Sequence, residues 1–194
     1  MPCGTMGRMI ELDRRHPLAL DLRSFGRRAG TTESGEFEVP APEGIGTDVM
    51  AVEPGSPLGL DLRLESLVDG VLASGTVTAT ARGNCVRCLT DLDEPVDTDF
   101  QVLYVWPGGR EDGEEVDPET QEDVREMEDD LMDLEPAVRD AVVPTFPFQP
   151  VCSEDCPGLC DRCGERLADD PDHAHEELDP RWAALADLTR SDDQ

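Results

Sequence analysis

Cysteine spacing constrains this chain more than any other feature. Four of its seven cysteines lie in one short run, VCSEDCPGLCDRCGERL (151–167), as Cys152, Cys156, Cys160 and Cys163. Two more form the pair Cys85-Val-Arg-Cys88, and Cys3 reads as a free thiol in a tail. A two-residue spacer lets the backbone turn around a metal so that both sulfurs point inward, while amides of the turn hydrogen-bond to the thiolates. A glycine after the second cysteine, here Gly164, eases that turn. Two C-x-x-C pairs supply the four thiolates of a tetrahedral zinc site, and four thiolates also suit iron.

Six cysteines compete for four positions. Cys85, Cys88, Cys160 and Cys163 make the most symmetric set and are the expected ligands. Cys152 and Cys156 are alternates that form another set with Cys85 and Cys88 and are expected to lie close to the first set; the four C-terminal cysteines are a third combination, strained by its three-residue spacers. His173 and His175 are spare donors, but DDPDHAHEE reads as a solvated loop. A closed sulfur-only site has no open coordination position, so its expected role is structural: it staples a strand hairpin to a C-terminal segment that cannot dock on its own core. The rival reading is a dithiol redox sensor, but the βαβ context of a thioredoxin-like motif is missing.

The thiols have this meaning only in a reducing compartment. The N-terminal MPCGTMGRMIELDRRHPLAL has no signal-type apolar run, and no stretch approaches the roughly 20 apolar residues of a membrane span. The expectation is a cytoplasmic protein without membrane contact. No phosphate loop, nucleotide fingerprint or serine elbow is present, so we expect no enzyme and no small-molecule substrate. Net charge is −29, from 45 acidic residues against 16 arginines and no lysine. Such a body repels phosphate backbones over most of its surface and favours basic proteins as partners.

Patterning divides the chain. Residues 1–13 read as a disordered leader and 191–194 as a tail. Asp21 to Gly30 reads as a short capped helix, in a basic zone whose Arg14, Arg15, Arg27 and Arg28 are weak candidates for RNA contact. Residues 36–57, rich in Gly and Pro, allow short extended stretches at best. Leu58, Leu60, Leu62 and Leu64 then alternate with polar residues, as do Val77, Ala79 and Ala81, and again Phe100, Val102 and Tyr104. Period two predicts antiparallel strands, so residues 14–106 form a β-rich part carrying the CVRC turn.

Residues 107–133 are dominated by acid. From Glu111 to Glu135 there are 14 carboxylates and one arginine, which predicts a disordered arm. Glu114, Glu115, Asp129 and Asp130 are its candidates for contact with a basic partner. Residues 134–190 complete the domain. Asp133 caps a helix with Leu134, Val138 and Val142 on one face and Pro144 at its end; a second helix begins at Asp179-Pro180. The expected fold class is α+β: a small antiparallel β-sheet with short flanking helices, stapled by a cysteine–zinc site, with a disordered acidic arm.

The order of these segments carries a resemblance: DLRSFGRRAG, then C-x-R-C-L, an acidic stretch, DL…VRDAVVP, FPFQPVCSEDCPGLCDRCG and DPRWAALADL. From about Pro17 to Leu188 the chain resembles the YceD-like family in its actinobacterial form. The resemblance implies a part in accumulation of large-subunit (23S) ribosomal RNA. A non-enzymatic factor for large-subunit biogenesis, acting on a large-subunit ribosomal protein or a pre-ribosomal particle, is the expectation. A direct rRNA-binding module is the alternative.

Overall fold

The computed structural model describes residues 11–12, 16–106, 124–128 and 130–175. Its chain divides into two compact units, residues 1–154 and 155–194.

The first unit is built on strands. In chain order they are β1 (Glu11–Leu12), β2 (Ala19–Asp21), β3 (Thr32–Pro40), β4 (Met50–Val52), β5 (Pro57–Ser66), β6 (Gly70–Asn84), β7 (Asp91–Val105), β8 (Val124–Glu126) and β9 (Leu131–Asp133). A helix, α1 (Glu135–Val142), follows and runs into a 3-10 turn at Val143–Thr145. The larger sheet has the order β3-β5-β6-β7-β8, with β4 also paired to β6, at Ala81–Gly83. All its pairings are antiparallel except β7 with β8. A smaller sheet has the order β1-β2-β9.

The period-two pattern is what buries one face. Leu58, Leu60, Leu62 and Leu64 on β5 are all 3% exposed or less, and Val77 and Ala81 on β6 are fully buried. Phe100, Val102 and Tyr104 continue the same face on β7. Helix α1 and the Leu134 just before it close this core: Leu134, Val138 and Val142 are at 0% exposure and join the strand residues in one cluster. Gly75 sits in register between Leu62 and Phe100. A Cβ there would lie 2.4 Å from the Asp61 carbonyl oxygen, so only glycine fits.

Several expectations change. The segment from Asp21 to Gly30 is not a helix. Its start is strand β2, and the Asp21 carboxylate accepts the Arg23 backbone N–H at 3.0 Å, a local turn that competes with helix. The hydrogen bonds to Arg23, side chain then backbone, bring the Asp21 carboxyl down to about 2. Residues 32–40 form a full strand, β3, although its side chains alternate exposed with only half-buried until Val39. Its backbone pairing to β5, rather than apolar patterning, holds it in place. In the expected acidic arm, residues 124–126 and 131–133 form β8 and β9. Residues 107–123 and 129 lie outside the described residues, as do 1–10, 13–15 and the helix expected after Asp179. Glu11–Leu12, expected in the leader, pair with β2.

The N-cap position is Leu134, one residue after the expected Asp133, which still contacts the helix start. The Asp133 carboxylate accepts the Glu135 N–H at 2.9 Å, while the Asp133 backbone carbonyl accepts the Tyr104 hydroxyl at 2.6 Å. Burial pushes the Tyr104 hydroxyl above its ordinary pKa. Among the described residues no helix is long and apolar enough to cross a membrane.

The second unit, over its described residues 155–175, is turns and bends with one isolated bridge, Leu159 to Arg166. Within it only Cys156 and Gly158 are buried.

Candidate metal centres

The CVRC turn joins β6 to β7. Cys85 N–H donates to the Thr90 carbonyl at 2.8 Å, and Leu89 N–H donates to the Cys85 carbonyl at 2.9 Å. The second C-x-x-C repeats this arrangement. Cys160 N–H donates to the Glu165 carbonyl at 2.7 Å, and Gly164 N–H donates to the Cys160 carbonyl at 2.9 Å. The residue after the second cysteine is left-handed in both turns, with φ +58° at Leu89 and +75° at Gly164. The two pairs are thus copies of one backbone knuckle.

The knuckle sets the thiol chemistry. Burial pushes the Cys85 thiol up, but N–H groups of Cys152, Cys88 and Arg87 outweigh it and bring it down to about 6. At the same place in the other knuckle, the N–H groups of Cys163 and Arg162 overcome burial and bring Cys160 to about 6. The Thr90 hydroxyl, 3.0 Å from the Cys88 sulfur, and the Thr90 N–H lower Cys88 as well. For Cys163 the Glu165 N–H lowers the thiol, yet burial and the adjacent Cys160 outweigh it and the net shift is upward. Thiolates are the form that binds metal, and both knuckles favour at least one thiolate near neutral pH.

The two C-x-x-C pairs do not share one group of donors. Cys85, Cys88, Cys152 and Cys156 place their sulfurs within 4.8 Å of one another. Cys88 and Cys152 are 3.6 Å apart. The reason is local: the chain leaving α1 is held against the first knuckle, where Val86 N–H donates to the Pro150 carbonyl at 2.9 Å and Arg87 Nη1 donates to the Glu154 carbonyl at 3.1 Å. Cys152 therefore arrives first, before the chain reaches Cys160. Cys160 and Cys163 instead group with His173 and His175, their ligand atoms again within 4.8 Å of one another. Either group is chemically able to hold a metal ion.

The histidines are the donors that sequence reasoning set aside. Their signal was C-x-x-C followed by H-x-H with only nine residues between, a shorter loop than in the zinc-finger pattern, amid acid that suggested solvent. Of the candidate partner contacts, Asp130 is committed to an ion pair with Arg27. Arg27 also stacks over the Trp106 ring, 4.5 Å from its centroid. Arg28 is exposed in the turn before Gly30. Glu114, Glu115, Asp129, Arg14 and Arg15 lie outside the described residues.

Comparison with known proteins places this site in a family. A family model described as large ribosomal RNA subunit accumulation protein YceD matches residues 73–189, which include both donor groups. The chain is 41% identical over 173 residues to an uncharacterized protein of Mycobacterium tuberculosis, covering 89% of this chain and 81% of that one. It is 39% identical over 177 residues to one of Mycobacterium leprae, covering 91% and 79%. To the uncharacterized protein YlbN of Bacillus subtilis it is 28% identical over 113 residues, 57% of this chain and 61% of that one. No solved structure matches the chain. With more than half its length matched by the family model, and with the mycobacterial relatives aligned along most of it, the chain belongs to the YceD family of large ribosomal RNA subunit accumulation proteins.

Proposed function

We propose that this protein is a non-catalytic factor for biogenesis of the large ribosomal subunit, supporting 23S rRNA accumulation by holding a basic ribosomal protein. Membership of the YceD family carries the reading. The charge of −29 supports a basic partner over free RNA. So does the outward face of the larger sheet. Glu36, Asp61, Thr76 and Asp99 stand in register across four strands, next to the row Glu38, Gly59, Thr78 and Asp97. Arg82 on the same face is paired with Glu53 and Asp93, so it offers little relief from this negative field. Glu114 and Glu115 extend the candidate contacts into the acidic stretch.

The metal in this reading is zinc, held by Cys85, Cys88, Cys152 and Cys156. It fastens the β6–β7 turn to the chain that follows α1, and it takes no part in a reaction. Four thiolates leave zinc no open position for water.

Depletion of the protein in its host, followed by the ratio of 23S to 16S rRNA, tests the role. We expect the ratio to fall and wild-type protein to restore it; an unchanged ratio would sink the proposal. Binding assays then separate the partners. Capture of a basic large-subunit protein, weakened at least tenfold by Glu36→Lys with Asp61→Lys, supports the protein-holding mode. Tight binding to an rRNA fragment, lost in Arg27→Glu with Arg28→Glu, would replace it with direct RNA contact.

A further inference from the structure

We infer that the segment from Cys160 to His175 is a second zinc site, a Cys2His2 module separate from the four-cysteine group. Three observations carry it. The first is convergence. The Cys160 sulfur lies 3.2 Å from His175 Nε2, the Cys163 sulfur 3.2 Å from His173 Nε2, and the two Nε2 atoms 3.0 Å apart. Zinc bonds of about 2.3 Å to sulfur and about 2.0–2.1 Å to nitrogen put tetrahedral ligand atoms roughly 3.3–3.8 Å apart, close to this spacing. Two imidazole nitrogens that face each other at 3.0 Å repel unless a proton or a cation lies between them. The rings stand nearly perpendicular, at 86°, so they share this point without stacking.

The second observation is the knuckle. Its N–H groups already serve the Cys160 and Cys163 sulfurs, as their counterparts serve Cys85 and Cys88 in the other group. The orientation of His173 is set as well: its backbone N–H donates to the Asp170 carbonyl at 3.1 Å, and its Nδ1 faces the Asp170 carboxylate at 3.8 Å. A carboxylate behind the distal ring nitrogen is the usual support of a zinc-bound imidazole.

The third is how little apolar surface the described residues of this unit bury. Residues 155–175 bury only Cys156 and Gly158, and their leucines, Leu159 and Leu167, are half-buried. So small a segment needs a metal or a disulfide to hold one conformation. The donor set selects the ion: two thiolates with two imidazoles suit zinc, whereas magnesium and calcium take oxygen ligands.

Metal analysis of the full chain tests this independently of any ribosomal role. After zinc loading and desalting, the wild type is expected to hold two zinc ions. His173→Asn with His175→Asn, and separately Cys160→Ser with Cys163→Ser, should each hold one. Cobalt substitution reads the ligands: thiolate-to-cobalt absorption scales with sulfur count, so the histidine variant should lose about a third of it, two thiolates of six. A wild type holding one ion or none overturns the site, as does a histidine variant that keeps two. Loss of both ions from the histidine variant would overturn its separateness.

Discussion

Leu89 occupies a backbone position that favours glycine. Its φ of +58° costs a residue with a Cβ about 1–2 kcal/mol, and its side chain is 64% exposed, so packing returns little. Gly164 fills the same position in the other knuckle. Leu89→Gly should therefore stabilise the protein by up to about 1 kcal/mol, after the extra chain entropy of glycine is subtracted. Denaturant unfolding of the metal-loaded protein reads this, and a loss of stability would show that Leu89 makes a contact worth more than the strain. The thiols give a second prediction at this scale. Cys85 and Cys160 titrate at about 6 in the folded chain, against an ordinary 9.0. A lowered folded value stabilises above the unfolded pKa and loses that contribution as pH falls through the folded one. The stability these two thiols contribute should thus be full above about pH 9 and decline as pH falls from 9 through 6. Denaturant unfolding of the metal-free protein across that window checks it; stability that does not fall between pH 9 and 6 would contradict the thiolate assignment.

At the scale of elements, the sheet was legible wherever one face is apolar. β5, β6 and β7 announce themselves by alternation, and the buried leucines of β5 are the ones that alternate. Leu62→Ala should cost about 2–5 kcal/mol, measured as a shift in denaturation midpoint, because Leu62 is fully buried within the single core cluster. β3 escaped notice because its side chains carry almost no apolar signal; its register on β5 is a backbone matter. β8 and β9 were hidden for a related reason. Both are three residues long and acidic on either side, and pairing partners far away in sequence hold them. At the start of α1 the N-cap position falls on Leu134, one residue beyond the Asp133 that the sequence points to. Asp133→Ala should cost about 0.5–2 kcal/mol, with Asp133→Asn close to neutral, since either Asp or Asn can accept the Glu135 N–H.

The whole molecule combines a unit with a core and a unit without one. The first draws apolar residues from Leu18 to Phe146 into a single cluster. The second buries only Cys156 and Gly158 among its described residues and groups four metal-type donors. Chelation should therefore act unevenly. Hydrogen exchange in the presence of a strong chelator should leave β5, β6 and β7 protected while residues 155–175 exchange freely. Simultaneous loss of protection in both would mean that the sheet also depends on the metal.

Charge, residue alternation and cysteine spacing by themselves determined that the chain carries metal-type donors, an acidic character and a sheet with one apolar face. Each of these is a local property: a period of two, a two-residue spacer, a sum of charges. Only the tertiary structure decided how the donors divide. Which thiols meet depends on where β6 turns into β7, where α1 ends, and which carbonyls catch the chain at Val86 and Arg87. Those contacts join residues more than sixty positions apart, and no spacing rule within a segment encodes them. They bring Cys152 and Cys156 to the first knuckle and leave Cys160 and Cys163 to find their partners in His173 and His175.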